Sequence, residues 1–131
     1  MYYLYVALFG ALGAMIRYAI GSAVPSGAFP AGTLLINVTG CFLLAVTVRY
    51  LTTIPKMPKN LITGIGTGFI GSFTTFSTFS VEASQLMLQG SSITATGYLV
   101  LSIVGGLFSA WLGFYFSDRL ILRRERAGDG N

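Results

Sequence analysis

The sequence predicts an all-α membrane protein with four transmembrane helices. Of its 131 residues, 53% are hydrophobic and only 9% are charged, whereas a soluble domain carries about 25% charged residues. Uncharged runs cover residues 1–16, 18–48, 60–81 and 83–117, and runs of this kind are typical of membrane spans of about 20 residues each. Helices are expected because the runs lack the alternating pattern of β-barrel strands. This composition excludes a soluble enzyme, a disordered chain and a nucleic-acid binder.

Turn and charge signals set the bounds of each span. Prolines and glycines separate the apolar runs, and these residues end helices. The predicted spans cover roughly residues 2–24 (before Pro25-Ser26-Gly27 and Pro30), 31–51 (before Pro55 and Pro58), 61–88 (before Gly90) and 93–116. Residues 1–118 are therefore expected to form one transmembrane domain, and residues 119–131 a basic polar tail.

Basic residues outside the spans predict the orientation. Four spans place both termini and the second loop on one side of the membrane. The first and third loops hold no lysine or arginine. The side with the termini holds six, and Arg49 lies at its edge. The six are Lys56, Lys59, Arg119, Arg123, Arg124 and Arg126. By the positive-inside rule, both termini are predicted to be cytoplasmic.

The third span has an unusual composition, TGIGTGFIGSFTTFSTFS over residues 63–80. Close helix packing would explain its four glycines, because small residues let membrane helices approach. It explains less well the six hydroxyl residues that follow within nine positions. We therefore predict a helix broken near the bilayer midplane, where freed backbone groups must face protein, water or an ion.

Four kinds of polar or aromatic residue inside the spans are candidate site residues. Arg17 either faces an aqueous path or extends to the interface. Asn37 either ties two helices together or offers its amide to an anion. Glu82 either lies near the surface or takes part in a polar or proton-coupled step. Phe76 and Phe79 share a helix face and are either packing or lipid contacts, or rings whose electropositive edges beside hydroxyls would suit a small anion.

These residues together resemble the Fluc fluoride channels, the CrcB family. The resemblance covers essentially the whole chain. It is carried by Gly13-x-x-x-Arg17, Gly32-Thr33-Leu34-x-x-Asn37-x-x-Gly40, Gly68-Phe69-x-Gly71-x-Phe73-Thr74-Thr75-Phe76-Ser77-Thr78-Phe79-Ser80-x-Glu82, and Tyr98 with Ser102.

The resemblance implies an antiparallel dimer with two fluoride pores that export cytoplasmic fluoride passively. Asn37, Phe76 and Phe79 would line each pore, and Ser77, Thr78, Tyr98 and Ser102 would supply donors. Arg17 would lie by the vestibule, and Glu82 near the end of the polar track. A structural sodium ion on the dimer axis would be held by the backbone carbonyls of Gly71 and Thr74.

The expected protein is thus an ion channel, not an enzyme, in a bacterial or archaeal plasma (inner) membrane. Its partners would be fluoride, lipid and an inverted second copy. The lysine and arginine bias instead favours a fixed orientation, so one subunit of a heterodimer with an oppositely oriented paralogue stays open. A small multidrug exporter, which exchanges protons for a cationic drug, is the alternative function. The sequence lacks the acid in its first span that such an exporter needs.

Overall fold

The computed structural model describes residues 2–24 and 27–128, and every regular element in these ranges is helical. The predicted turn at Pro25 and Ser26 lies outside the described residues. The elements are α1 (Tyr2–Ala23), α2 (Ala31–Arg49), a 3₁₀ turn (Leu51–Thr53), α3 (Lys59–Thr63), a π-helical segment (Gly64–Ile70), α4 (Gly71–Phe73), α5 (Phe76–Leu88) and α6 (Ser92–Gly128).

Within residues 2–24 and 27–128, three helices are long and apolar enough to cross a membrane: Tyr2–Ala23, Ala31–Thr53 and Ser92–Ala127. They coincide with the predicted first, second and fourth spans. Most of their surface is exposed in the single chain. The α6 helix continues without interruption past residue 118, so residues 119–128 of the predicted tail are helical.

The region predicted as the third span is segmented. A short α-helix, a π-helical turn and α4 follow one another to Phe73, and α5 begins at Phe76. Between them, Thr74 and Thr75 have extended backbone angles, with ψ of 158° and 121°. A π-helical turn is rare and widens the helix locally, and here it occupies the glycine-rich sequence GIGTGFI.

Glycines let α1 pack directly against this segmented region. A Cβ added at Gly13 would overlap the carbonyl oxygen of Phe69, and one added at Gly68 would lie 2.7 Å from the carbonyl oxygen of Val6. The glycine composition therefore serves close backbone approach, as expected for packed membrane helices. The α2 helix packs most extensively against α6, and Arg49 at its end pairs with Asp118 of α6 at 2.7 Å.

The end of α5 is a Schellman motif. The amide of Ser91 donates to the carbonyl of Leu86 at 2.9 Å, and the amide of Gly90 donates to Met87 at 3.1 Å. Gly90 has a φ of 76°, which glycine adopts without the steric cost of a side chain. The chain thus reverses in three residues and places α6 against α5.

Candidate functional site

The candidate site is built around the interruption at Thr74 and Thr75. The amide and the hydroxyl of Thr74 both donate to the carbonyl of Ile70, each at 2.9 Å. The next amide, that of Thr75, would continue the helix by donating to the carbonyl of Gly71. It donates instead to Asn37 Oδ1 at 2.9 Å. The Gly71 carbonyl therefore lacks its usual helical donor.

Asn37 completes this bridge in the other direction. Its Nδ2 donates to the carbonyl of Thr75 at 2.9 Å, so one side chain of α2 satisfies both main-chain groups of a residue that is only 8% exposed. An amide nitrogen carries two hydrogens, which leaves one for another acceptor. The structure thus gives Asn37 a structural contact, and its predicted contact with a permeating ion stays a prediction.

Hydroxyl groups cluster at the start of α5. Thr75 caps this helix, since its Oγ1 accepts from the amide of Thr78 at 3.2 Å. Thr75 Oγ1 also lies 3.0 Å from Thr78 Oγ1 and 3.4 Å from Ser77 Oγ. Ser77 and Thr78 are exposed in the single chain. A row of three hydroxyls therefore leads away from the interruption.

Aromatic rings run beside the hydroxyls. The ring centroids of Phe76 and Phe79 are 5.9 Å apart, and those of Phe79 and Tyr98 are 5.1 Å apart. Phe76 is 80% exposed in the single chain, whereas Tyr98 is fully buried. The two predicted phenylalanines thus lie on one face of α5 and extend from the protein surface towards its interior.

Glu82 accepts hydrogen bonds from two helices. Thr33 Oγ1 of α2 donates to Oε1 at 2.9 Å, and the Tyr98 hydroxyl of α6 donates to Oε2 at 2.8 Å. Ser102, predicted as a pore donor, uses its hydroxyl on the carbonyl of Tyr98 at 2.7 Å. The carboxylate therefore joins α2, α5 and α6, while Ser102 contacts its own helix.

Two cavities flank this line of groups. One of about 310 Å³ lies beside the interruption and is lined by Asn37, Gly40, Gly71, Thr74 and Phe76, among others. The other, of about 480 Å³, lies between the start of α2 and the end of α5, and its polar lining residues are Thr33, Thr78, Glu82, Gln85 and Gln89.

The predicted residue Arg17 lies on α1, whereas the other predicted residues lie on α2, in the segmented region and on α6. Arg17 is half-buried on α1 and lines neither cavity. Conversely, Gln85 and Gln89 line the larger cavity although the sequence reasoning overlooked them. Their spacing from Glu82, three and seven residues along α5, places all three on one helix face. That spacing in the sequence could have identified Gln85 and Gln89 as neighbours of Glu82.

Side chains do not assemble a metal centre in the described ranges, where no three His, Cys, Asp or Glu residues converge. Oxygen donors for a cation would have to come from the main chain. The carbonyl of Gly71 is one of the groups that the interruption releases from their helical partners, and Gly71 is exposed beside the 310 Å³ cavity.

Sequence comparison shows the family of the chain. Residues 4–114 match the family described as CrcB-like protein, Camphor Resistance (CrcB). The chain belongs to the CrcB family. This finding confirms the resemblance stated above. The match spans α1 to most of α6 and includes every predicted site residue.

Relatives in the CrcB family extend over nearly the full chain. "Fluoride-specific ion channel FluC 2" of Listeria innocua is 47% identical over 123 residues, covering 94% of this chain and 95% of the relative. "Fluoride-specific ion channel FluC 1" of Bacillus cereus is 47% identical over 130 residues, covering 97% and 95%. These relatives are named as channels rather than enzymes. Together with the apolar helices, membership of the CrcB family makes the chain a multi-pass membrane protein.

Proposed function

We propose that this CrcB-family chain forms a fluoride-selective channel that exports cytoplasmic fluoride passively. The observation that carries the proposal is the line of uncharged donors and ring edges at the interruption, on a chain 47% identical to proteins named as fluoride-specific channels. The line runs from Asn37 through the hydroxyls of Ser77 and Thr78, beside Phe76 and Phe79. It ends at the cavity that Glu82 lines.

The chemistry of these groups favours a small, strongly hydrogen-bonding anion. Fluoride that leaves water needs replacement donors, and the second Nδ2 hydrogen of Asn37 and the exposed hydroxyls of Ser77 and Thr78 can supply them. Electropositive ring edges add attraction without a full charge. Chloride is larger and forms weaker hydrogen bonds, so it recovers less of its hydration energy. Neutral groups also hold the ion weakly enough for it to leave.

Two of the predicted donors are engaged in the single chain. The Tyr98 hydroxyl has one hydrogen, which it donates to Glu82, and the Ser102 hydroxyl donates to a carbonyl. Each would contact fluoride as a donor only after releasing its present partner. Glu82, as a carboxylate, repels an anion in its immediate neighbourhood. We therefore place Ser77 and Thr78 ahead of Tyr98 and Ser102 as pore donors.

We further propose that residues 61–88 cross the bilayer as a fourth, broken span, and that two subunits assemble in antiparallel orientation. The 80% exposure of Phe76 and the position of the 310 Å³ cavity at the surface of one chain support this. A second subunit would cover both. Each of the two pores would then be completed by groups from both chains.

A sodium ion fits the interruption by its donor chemistry. Hard cations bind carbonyl oxygens, and the Gly71 carbonyl is released because the Thr75 amide bonds to Asn37. Gly71 and Thr74 of each subunit would hold the ion, which supplies a positive charge that links the two chains. Sodium should therefore raise the thermal unfolding temperature in a concentration-dependent manner, following the linkage between binding and stability. Equal unfolding temperatures in sodium and in N-methylglucamine would reject this site.

The decisive experiment is ion efflux from liposomes that contain this protein alone. With valinomycin to set the voltage, a fluoride electrode should record fast efflux of fluoride, and a chloride electrode almost none. Empty liposomes are the control. Drug–proton exchange without fluoride efflux would reject the channel and favour the multidrug exporter.

The heterodimer is a second candidate because of one observation, the six lysines and arginines on one side of the predicted spans and none in the opposite loops. The same liposomes test it. Efflux from this protein alone supports the homodimer, whereas efflux only after addition of an oppositely biased paralogue supports the heterodimer. Labelling of a cysteine introduced near either terminus, from either side of plasma-membrane vesicles, would establish the orientation of the termini, since the native Cys41 lies within α2.

A further inference from the structure

The α6 helix is longer than a bilayer requires. Its 37 residues extend about 55 Å at 1.5 Å per residue, whereas the hydrocarbon core of a bilayer is about 30 Å thick. The ion pair between Arg49, the last residue of α2, and Asp118 places residue 118 at the membrane boundary. Residues 119–128 then extend about 15 Å further, through the headgroup layer.

Three arginines of this extension share one helix face. Arg119, Arg123 and Arg126 are spaced by four and three residues, and all are exposed. Arg124 lies five residues after Arg119, roughly 140° around the helix. Glu125 follows Asp118 by seven residues and so lies on the side that faces Arg49. The arginine face therefore has no acidic residue of its own helix to neutralise it.

The same face continues into the membrane as a row of exposed aromatic rings. Phe108 and Trp111 stack with centroids 5.8 Å apart, and Trp111 and Tyr115 stack at the same distance. The guanidinium of Arg119 lies 5.1 Å from the centre of the Tyr115 ring and donates to the Tyr115 hydroxyl at 2.6 Å. Tyrosine and tryptophan are typical of the membrane–water interface.

These contacts fix the guanidinium of Arg119 at the headgroup level and leave most of its N–H donors free for another acceptor. Arg119 has five N–H donors, and its bond to Tyr115 takes one of them. A guanidinium matches phosphate oxygens in geometry as well as in charge. Arg123, one turn further from the membrane, can approach the same phosphate from above, because long basic side chains extend along the interface.

We propose that the α6 arginine face, defined by Tyr115, Arg119, Arg123 and Arg126, binds the phosphate of an anionic phospholipid at the membrane boundary where α6 leaves the bilayer. The lipid's acyl chains would lie along the aromatic rings below. The inference rests on α6 crossing the membrane, and it does not depend on which ion the protein conducts.

The protein carries its own probe for this site. Trp111 is its single tryptophan, and it lies eight residues, about 12 Å, below Arg119 on the membrane side. Phospholipids with brominated acyl chains quench a tryptophan only when they are adjacent to it. The full-length protein is reconstituted into phosphatidylcholine vesicles with 30 mol% phosphatidylglycerol in both leaflets, and the bromine is placed on one lipid or the other.

We expect brominated phosphatidylglycerol to quench Trp111 well beyond its mole fraction. A basic residue near an anionic surface contributes about a fivefold preference, so Arg119→Gln combined with Arg123→Gln should lower the preference at least fivefold. Arg124→Gln, which removes one charge from another face, should retain it. High salt should reduce the preference in the unmodified protein.

Three results would overturn the proposal. Quenching in proportion to mole fraction in the unmodified protein would show that the arginine face does not select anionic lipid, and an acidic protein segment would then be its ligand. A loss of about fivefold in Arg124→Gln, the loss expected for one basic residue on any face, would reduce the effect to net charge. No quenching by either lipid would show that protein, not lipid, covers the aromatic rings. Fluoride efflux, measured on the same vesicles, reports the proposed channel function separately.

Discussion

Asn37→Ala tests whether the bridge between α2 and the interruption supports both the fold and the pore. The substitution removes two hydrogen bonds of 2.9 Å to the main chain of Thr75, a residue only 8% exposed. A buried polar group that loses its partner costs about 1–3 kcal/mol. For the two groups together we expect the lower end of the combined cost, about 2 kcal/mol. Asn37 lines the 310 Å³ cavity, and water there can replace part of the lost hydrogen bonding.

The same substitution should slow fluoride efflux. A hydrogen bond to a charged group contributes about 1.5–3 kcal/mol, and every 1.4 kcal/mol is tenfold in rate. Efflux should therefore fall at least tenfold while the protein still assembles. Thermal unfolding by circular dichroism measures the first effect, and the liposome assay measures the second.

Thr39→Ala is the matched control for Asn37→Ala, since Thr39 lies exposed on the same helix. It should change the free energy of unfolding by less than about 0.5 kcal/mol. Unchanged stability in Asn37→Ala would refute the structural bridge. Unchanged efflux would refute the contact between Asn37 and the ion, whatever the stability.

Three further substitutions test other parts of the structure. Gly13→Ala should destabilise the protein by about 1–3 kcal/mol or more, because its Cβ would overlap a main-chain oxygen. Gly21→Ala, with open space around it, should instead raise the free energy of unfolding by about 0.5–1 kcal/mol. Equal unfolding temperatures of the two variants would contradict the packing of α1. Phe76→Ile should lower fluoride efflux several-fold but leave assembly intact, and normal efflux would remove this ring from the pore. Tyr98→Phe leaves a carboxylate oxygen without its donor and should cost about 1–3 kcal/mol in chemical unfolding; Ser102→Ala, which loses only a bond within its own helix, should cost much less, and the reverse order would refute the carboxylate bridge.

Helical character and membrane location follow from sequence because they depend on local composition. A long uncharged run forms a helix in a bilayer, and the first, second and fourth predicted spans coincide with long apolar helices. The hydroxyl-rich segment 72–80 predicts a helix broken near the bilayer midplane, and Thr74 and Thr75 within it have extended backbone angles. The sequence could not predict which group accepts the hydrogen bond from the freed amide of Thr75, since Asn37 lies 38 residues earlier in the chain.

The candidate site divides in the same way. Asn37 and Glu82 were identified from sequence as unusual residues for a membrane interior, which is a property of each position alone, and Phe76 was identified by its spacing from Phe79 beside hydroxyl residues. Their partners were not identified. Glu82 joins Thr33 and Tyr98 from two other helices, and the engagement of Ser102 by its own helix depends on a rotamer. Arg17 was identified as a charge within a span, and it lies one helical turn before Gly21, which lines the larger cavity.

The scarcity of charge by itself determined that this chain lies in a membrane, because no other solvent accepts such long apolar runs. The tertiary structure decided where the few polar groups find their partners. The main-chain groups of Thr75 and the carboxylate of Glu82 are separated in sequence from the side chains that bond to them, and only the packing of α2 against α5 and α6 brings them within hydrogen-bond distance. In a low-dielectric interior, unpaired polar groups are costly, so that packing determines which donors are already engaged and which remain for an ion.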